Sequence, residues 1–456
     1  MIRSGRWSGM RPAKWAAFCS TAYCLFCPLQ ALQAAGGCPR HHWVALPFLR
    51  VVYRRQGWLA KALPYFNLKT NLTMRVLFWL GLTLLLLFEF FAVYFIMPMP
   101  GSQEAVTLPA AYFLYSYRWW FRIGAALLLA QGLYYGGFKR RWLALGVLAP
   151  AAALVYLLNF KMAADRMFSQ VKTLVMMPAT QNIVDGNRLV IGVALGNRAK
   201  AYPIRFLGYH HLVADSVNGQ PVLVTYCTVC RTGRVYSPLV NGSPQQFRLV
   251  GMDHYNAMIE DAATKSWWQQ ATGEAVAGPL KGHRLAEVFS TQTTLAEWLK
   301  MNPHSLVMQP DPGFTARYDT TLAYEEGSSR KALTGTDTIS WKNKSWVVGL
   351  ENMGSARAYD WNLLKAQRLV QDTLGGQPMM LVLAMDGKSF YAFRGMQVSA
   401  PFRLMGDTLY NGQHRYLVNG KPLGNGPALS PAPAYQEFWH SWRSFRPGTG
   451  VYEGRR

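Results

Sequence analysis

Hydrophobic and polar positions divide the chain into two parts with different periodicities. The N-terminal part contains three long apolar runs, at residues 76–97, about 119–138 and 142–160. A helix needs about 20 such residues to cross a bilayer. Beyond these runs the pattern changes to short stretches such as VLVTYC and GRVYSPL, separated by Gly, Asn and Pro. This change predicts a membrane region at residues 76–160, followed by a β-rich domain with a few helices.

One segment of the β-rich part recurs farther along the chain. The segment VIGVALGNRAKAYP, which begins at Val190, aligns without gaps with VVGLENMGSARAYD, which begins at Val347. The shared positions are mostly Gly, Pro and apolar residues, and we interpret them as determinants of the fold rather than of a chemistry. We therefore predict two tandem homologous repeats at residues 161–309 and 338–456, joined by a polar linker at residues 310–337.

Basic residues near the ends of the apolar runs predict their orientation. Residues 1–75 hold eleven Lys or Arg and no Asp or Glu, and Lys139, Arg140 and Arg141 separate the second run from the third. Basic flanks stay in the cytoplasm, so the N-terminus is expected there and the C-terminal domain, after three crossings, in the periplasm. The predicted fold is three transmembrane α-helices followed by a β-rich α+β extracytoplasmic domain, anchored in the bacterial inner membrane.

The basic leader, residues 1–75, has two features with alternative interpretations. Residues 15–35 resemble a signal peptide, but cleavage would place the later basic residues outside, against the charge rule. Cys24 and Cys27 are followed by Cys38 and a His pair in a weak zinc-like spacing. We favour a poorly structured cytoplasmic leader, or an extension before a later start near residue 74.

An acidic residue, Glu89, lies in the middle of the first apolar run. A carboxylate in hydrocarbon is costly. We interpret it as a protonated group or as one paired between helices, rather than as part of a proton path.

Composition supports a membrane partner. Half of the residues are hydrophobic, 15% are charged, and the formal net charge is +24. A nucleic-acid binder can carry such a charge, but eleven of the basic residues lie before the first apolar run, and no basic helix or aromatic–basic strand motif follows it. The sequence therefore predicts the lipid bilayer as a partner and no nucleic acid.

The candidate chemistry lies in residues 222–236, VLVTYCTVCRTGRVY, where two cysteines are separated by two residues. The Gly and β-branched residues that follow predict a turn and a strand, so activation of a thiol by a helix N-terminus is not expected. A strand–turn–strand CxxC resembles the metal knuckle of zinc ribbons. Cys227 and Cys230, with His210, His211 or His254, would suit zinc or copper. An ordinary disulfide and an exchange-active thiol pair remain open at this point.

The second repeat lacks these groups. At the constant offset of the two repeats, other residue types stand at the cysteine and histidine positions: Ala384, Gly387, Gln367 and Arg368. Because the second copy does not need the thiols or imidazoles to fold, we predict a specific site in the first repeat, near the seam between the copies.

The first repeat resembles the bacterial domain of unknown function numbered 3179, whose members are secreted or membrane-anchored. The resemblance rests on AYPIRFLGYHHLVADSVNGQPVLVTYCTVCRTG, YNAMIEDAATKSWWQQATGEAVAGPLKG and TTLAEWLKMNPHSLVM. The family's pattern falls on Tyr202, Pro203, His210, Asp215, Cys227, Cys230, Asn256, Asp261, Ser266, Trp267 and Gln269. The family's turn usually has Pro after the first cysteine and Gly after the second, where this chain has Thr228 and Arg231, and His211 replaces a family Glu. The resemblance implies the fold and the location of the site, but no activity.

These observations predict a membrane-anchored periplasmic protein that binds a metal ion or exchanges thiols at the CxxC and histidine site. Five residues are expected to line a substrate pocket: Tyr202, Asn256, Asp261, Trp267 and Gln269. The alternative is a non-catalytic ligand-binding or assembly module with a structural disulfide, and a periplasmic or membrane protein partner is compatible with either prediction.

Overall fold

A computed structural model describes residues 71–136, 138, 140–396, 401–412 and 414–454. The predictions for the signal-peptide-like stretch at residues 15–35 and for the zinc-like spacing around Cys24 and Cys27 lie outside the described residues.

Helices form the first part of the described chain. By length and composition, only two helices within the described residues could cross a membrane, Thr73–Tyr94 and Arg141–Lys161. The prediction of three such spans is therefore corrected to two. The helix between them has 18 residues, about 27 Å, and its first turns contain Arg118 and Arg122, which lower its hydropathy. The helices are α1 (Asn71–Tyr94), α2 (Leu108–Ser116), α3 (Arg118–Tyr135), α4 (Arg141–Tyr156), continued by a π-helical turn (Leu157–Lys161), and α5 (Ala164–Met167).

Helices α1 and α3 pack closely along their length. Gly132 lies so near to Phe78, and Gly81 so near to Leu128, that a Cβ atom on either glycine would overlap its neighbour. Small residues of this kind let helix backbones approach. At the start of α1, Arg75 Nε donates a hydrogen bond of 2.8 Å to the carbonyl of Gly136, just after α3.

Glu89 is buried between three helical segments and is 1% exposed. Arg122 Nε on α3 donates to its Oε1 at 2.7 Å, and Asn159 Nδ2 in the π-helical turn donates to its Oε2 at 2.7 Å. Arg122 also donates to Asn159 Oδ1 at 2.6 Å. Glu89 is thus paired between helices, with two partners that the sequence analysis did not assign.

The first half of the domain contains fourteen strands and two helices. Its strands are β1 (Met176–Pro178), β2 (Leu189–Leu195), β3 (Arg198–Pro203), β4 (Leu212–Val217), β5 (Gln220–Cys227), β6 (Thr232–Tyr236), β7 (Leu239–Val240), β8 (Ser243–Pro244), β9 (Phe247–Asp253), β10 (Asn256–Asp261), β11 (Trp267–Gln269), β12 (Ala275–Ala277), β13 (Thr291–Thr294) and β14 (Leu306–Met308). Its helices are α6 (Ile204–His210) and α7 (Leu295–Met301), with a 3-10 turn at Ala179–Gln181.

The stretch predicted to be a linker folds into short helical elements. They are two 3-10 turns, Pro312–Phe314 and Asp319–Thr321, with α8 (Thr315–Tyr318) and α9 (Leu322–Glu325). Tyr318 and Tyr324 are buried against the first half, so this stretch contributes to the core as well as connecting the halves.

The part of the second half that the structure describes contains eleven strands and two helices. Its strands are β15 (Trp346–Asn352), β16 (Ser355–Asp360), β17 (Leu369–Leu374), β18 (Gln377–Leu383), β19 (Phe390–Arg394), β20 (Arg403–Met405), β21 (Thr408–Asn411), β22 (His414–Leu417), β23 (Pro431–Ala432), β24 (Ala434–Phe438) and β25 (Gly450–Val451). Its helices are α10 (Trp361–Gln367) and α11 (Trp439–Phe445). The C-terminal domain is therefore β-rich with helices, as predicted.

Corresponding elements of the two halves pair in the same order. The sheet β14-β3-β2-β13 of the first half has its counterpart in β25-β16-β15-β24 of the second, and β14 and β25 both pair in parallel with their neighbours. A glycine in β2, Gly192, lies against the ring of Trp298, and Gly349 in β15 lies in the same way against Trp442. Tyr202 in β3 and Tyr359 in β16 each donate a 2.8 Å hydrogen bond to an aspartate, Asp215 and Asp372 respectively.

Candidate functional site

The CxxC motif forms the turn between β5 and β6. β5 ends at Cys227, which pairs with Thr232 at the start of β6. Arg231 has a φ of 55°, in the left-handed region that lets the chain reverse within the turn. The predicted strand–turn–strand arrangement is confirmed, and the thiols lie at a hairpin turn rather than at the start of a helix.

A second turn covers both sulfur atoms. The hairpin β9–β10 reverses at His254 and Tyr255, whose φ values of 48° and 64° are both positive, as in the two-residue turns that suit the twist of a hairpin. The carbonyl oxygen of Tyr255 lies 3.6 Å from Cys227 Sγ and 3.3 Å from Cys230 Sγ. The two sulfur atoms therefore converge on one oxygen.

The two buried thiols have opposite pKa shifts. Burial would raise the pKa of Cys227, but a hydrogen bond from the Cys230 thiol and others from the backbone amides of Ala257, Cys230 and Val229 outweigh burial and place this pKa below its usual range. Burial raises the pKa of Cys230, and the neighbouring Cys227 raises it further. A stabilised thiolate beside a protonated thiol is the arrangement that thiol exchange requires.

Residues from the second half cover the CxxC turn. The backbone N–H of Phe438 donates to the carbonyl of Cys230 at 2.9 Å. Lys344 Nζ donates to the carbonyl of Val229 at 2.8 Å and lies 3.2 Å from His440 Nε2. Burial, together with the positive charge of Lys344, lowers the pKa of His440 to about 4, so this imidazole is neutral at pH 7. The cysteines therefore lie where the two halves meet.

The two arginines that follow the motif also join the halves. Arg231 stacks over Trp346, with 3.5 Å between its guanidinium carbon and the ring centre. Arg234 Nη2 lies 2.6 Å from Glu437 Oε1, and both side chains are at most 1% exposed. The positive charges beside the CxxC motif thus form contacts across the seam between the two halves.

The three histidines predicted as ligands lie in different environments. His210 has both ring nitrogens in hydrogen bonds, Nδ1 at 2.6 Å from the carbonyl of Ser169 and Nε2 at 2.7 Å from Tyr318 Oη. His254 Nδ1 lies 2.9 Å from Asp253 Oδ1. No group of three or more His, Cys, Asp or Glu among the described residues is arranged to hold a metal ion.

Of the three histidines, His211 is the one that lines the same cavity as Cys227. Its Nδ1 donates to the carbonyl of Tyr209 at 3.1 Å, and its ring packs on Phe168 with 4.4 Å between ring centres. Burial lowers the pKa of His211 to about 4. With the proton on Nδ1, the neutral ring has Nε2 available as a proton acceptor.

Of the five predicted substrate residues, Asn256 lies at the thiols. It is buried, its side chain forms a hydrogen bond that lowers the pKa of Cys230, and its Oδ1 accepts from the Ala271 amide at 2.9 Å. The other four make buried structural contacts: Tyr202 with Asp215, Asp261 with Trp268, Trp267 with Glu260, and Gln269 with Asp253.

An apolar cavity of about 460 Å³ reaches Cys227 from one side, and we name it the Cys227 cavity. Its lining comes from the ends of the helical region, the first half, and α9 with the segment after it, and includes Met97, Phe168, Leu249, Tyr324 and Leu333. The buried thiol is therefore accessible to a small molecule.

The segment after α1 connects this site to the helices. The amide of Met252 in β9 donates to the carbonyl of Ile96 at 2.8 Å. Gln103 accepts from the amide of Tyr255 at 3.2 Å and donates to the carbonyl of Met97 at 3.2 Å. The turn that covers the sulfur atoms is thus held by residues just beyond a candidate membrane helix.

Sequence reasoning missed four residues of the site: Gln103, Tyr255, Lys344 and His440. Tyr255 acts through its backbone, and the other three come from segments distant in sequence, so no local pattern could identify them.

Comparison with known families gave a match to most of the domain. The family described as "Protein of unknown function (DUF3179)" matches residues 170–449, which include most of both halves of the domain. Comparisons with curated proteins and with solved structures gave no match.

Proposed function

The chain belongs to this family of proteins of unknown function, and we propose that it is a membrane-anchored thiol–disulfide oxidoreductase. Cys227 is the attacking thiol and Cys230 the resolving thiol. The observation that carries the proposal is the convergence of both sulfur atoms on the Tyr255 carbonyl, together with a lowered pKa at Cys227 and a raised pKa at Cys230.

In the proposed reaction the pair cycles between a dithiol and a disulfide. On oxidation both S–H bonds break, the S–S bond forms, and two electrons and two protons pass to an acceptor. We assign the transfer of these protons to two neutral imidazoles: His211, which lines the cavity beside Cys227, and His440, whose Nε2 lies 3.1 Å from the Val229 carbonyl in the turn. The covering second half keeps bulk water from the sulfur atoms.

The proposed anchoring is supported by the way in which the helices meet the domain. The segment after α1 bonds to β9 through Ile96, and α5, which follows α4, is bonded to β9 by an ion pair of 3.2 Å between Asp165 and Arg248. Both candidate membrane helices thus end beside the domain. We place the N-terminus in the cytoplasm and the domain in the periplasm, as the basic residues predict. Because α1 and α4 both end beside the domain, this placement requires α3, which packs along α1, to return the chain across the bilayer between them. Protease treatment of spheroplasts should then digest the domain, and protection of the domain would contradict this placement.

We also propose that the domain arose by duplication of one unit. The matched sheet orders, and the Gly192–Trp298 and Gly349–Trp442 contacts, support two homologous repeats. On this interpretation the second copy kept the fold without the thiols and became the cover of the site in the first.

Zinc or copper binding is a second candidate, because two sulfur atoms converge and His211 lines the cavity beside Cys227. Metal analysis of the purified protein separates the two functions. Stoichiometric metal that is lost in Cys227→Ser would favour the metal site.

A redox titration tests the proposed function. The cysteines at positions 19, 24, 27 and 38 are replaced by serine in the full chain, so that only two thiols remain. The protein is equilibrated with mixtures of reduced and oxidised dithiothreitol, quenched, and analysed by mass spectrometry. We expect one reversible two-electron transition of Cys227 and Cys230. An irreversible disulfide, or none at any ratio, would contradict the proposal and favour a structural or ligand-binding role.

A further inference from the structure

We propose that the electron acceptor of the Cys227–Cys230 pair is a lipophilic para-quinone, which enters from the bilayer and binds in the Cys227 cavity. This inference rests on the thiol–disulfide function proposed above and specifies its co-substrate.

The location of the cavity is the first reason. Met97 and Pro98 in its lining follow the end of α1 at Tyr94, and Met167 and Phe168 follow the π-helical turn that continues α4. Both candidate membrane helices therefore end at this cavity. With the helices in a bilayer, the cavity lies at the level of the membrane surface, where an isoprenoid quinone can place its ring while its tail stays in the lipid.

The lining of the cavity is the second reason. Its volume of about 460 Å³ falls within the range of about 300–1,000 Å³ of small-molecule sites. Leu249, Met252 and Ala257 form its apolar wall, with Thr228 and Lys331 among its few polar groups. A charged peptide oxidant would lose its hydration in such a cavity without compensation, whereas a quinone ring is apolar and needs only donors for its two oxygens.

Access to the thiols is the third reason. Cys227 and Cys230 are 1% and 0% exposed, and Tyr255 and the second half cover the turn. A folded protein partner could not bring its own disulfide to Cys227 Sγ without opening this cover. A small molecule can reach Cys227 through the cavity.

The reaction balances with a quinone as the only co-reactant. The two S–H bonds break and one S–S bond forms, so the pair loses two electrons and two protons. The quinone gains both electrons, and its two oxygens take the two protons to give the hydroquinone. His211, which has Nε2 available in the same cavity, is placed to receive a proton released by the pair and pass it to the nearer quinone oxygen.

The experiment uses the full chain in detergent micelles without oxygen, with the cysteines at 19, 24, 27 and 38 replaced by serine. The reduced protein is mixed with ubiquinone-1, whose fully substituted ring cannot alkylate thiols. Hydroquinone is followed by ultraviolet absorbance, and remaining thiols are counted by mass spectrometry. We expect one hydroquinone for each disulfide formed, and none with Cys230→Ser.

Two exposed alanines provide the matched test of the cavity. Ala332 lines the cavity, and Ala332→Trp should fill it and slow oxidation by ubiquinone-1 by tenfold or more. Ala263 is exposed in a turn outside this lining, and Ala263→Trp should leave the rate unchanged. Both variants should keep the dithiothreitol equilibrium of the parent protein.

The outcomes distinguish the quinone from the underlying function. If the thiol pair titrates reversibly with dithiothreitol but is not oxidised by ubiquinone-1, the quinone proposal is wrong and the thiol–disulfide function is retained. Equal rates in the two tryptophan variants would overturn the cavity as the quinone site. Absence of any reversible transition in dithiothreitol would overturn both proposals.

Discussion

The seam between the two halves, which covers the thiols, contains a buried ion pair between Arg234 and Glu437. Removal of this ion pair gives a quantitative prediction. Glu437 is 0% exposed. Its Oε1 accepts from Arg234 at 2.6 Å and from Thr232 at 2.8 Å, and its Oε2 accepts from Ser441 at 2.8 Å. Glu437→Ala leaves a buried guanidinium without its counter-charge and two hydroxyl groups without their acceptor.

The expected cost follows from these contacts. Removal of one partner from a buried ion pair typically costs about 3–5 kcal/mol, because the remaining charge is left uncompensated. The free energy of unfolding should fall by that amount in Glu437→Ala. A double change, Arg234→Met with Glu437→Leu, should recover much of the loss, because it removes both charges and fills the space with apolar atoms.

Chemical denaturation of the detergent-purified chain, followed by tryptophan fluorescence, measures the difference. The matched control is Glu274→Ala, which removes an ion pair with Arg284, a side chain that is 67% exposed. Such surface pairs contribute roughly 0–1 kcal/mol. The ion pair does not stabilise the seam if Glu437→Ala lowers the free energy of unfolding no more than Glu274→Ala does. The same conclusion follows if the double change lowers it more than Glu437→Ala alone.

Three further predictions concern the thiol pair and the fold. Iodoacetamide should alkylate Cys227 at a pH where an ordinary thiol, with a pKa near 8.5, is unreactive. The reaction should cease only as the pH falls below the lowered pKa of Cys227, and peptide mass spectrometry across a pH series measures this. Lys344→Met removes a positive charge near the sulfur atoms and should move that profile to higher pH, whereas the exposed Lys365→Met should not. Gly192→Ala should cost about 1–3 kcal/mol of stability through overpacking against a tryptophan ring, while Gly424→Ala, which meets no atom within 4 Å, should be neutral in the same denaturation assay.

Local patterns in the sequence were enough to predict the hairpin that carries the thiols. The apolar runs on either side of Cys227 and Cys230, with Gly233 shortly after, identify a strand, a turn and a strand, and β5 and β6 have these positions. The β-rich character of the domain was predicted in the same way. Both predictions depend on the periodicity of hydrophobic residues within about ten positions, which is the primary signal of secondary structure in a sequence.

Partners from distant segments could not be predicted. Lys344 and His440 approach Val229 from more than 100 residues away, and nothing in their own neighbourhood indicates a thiol. Arg122 lies near the start of the second apolar run, and nothing in the local sequence indicates that its side chain reaches Glu89 in the first. Histidine ligation was predicted from residue type alone, and the ring nitrogens of His210 instead bond to Ser169 and Tyr318.

The central claim is that Cys227 attacks and Cys230 resolves, and trapping of a mixed disulfide tests it most directly. Each single serine variant, without the cysteines at 19, 24, 27 and 38, is treated with bis(2-hydroxyethyl) disulfide and analysed by intact mass. We predict that Cys230→Ser accumulates one mercaptoethanol adduct on Cys227, while Cys227→Ser stays unmodified. Equal adducts on both variants, or an adduct on Cys230 alone, would contradict the assignment.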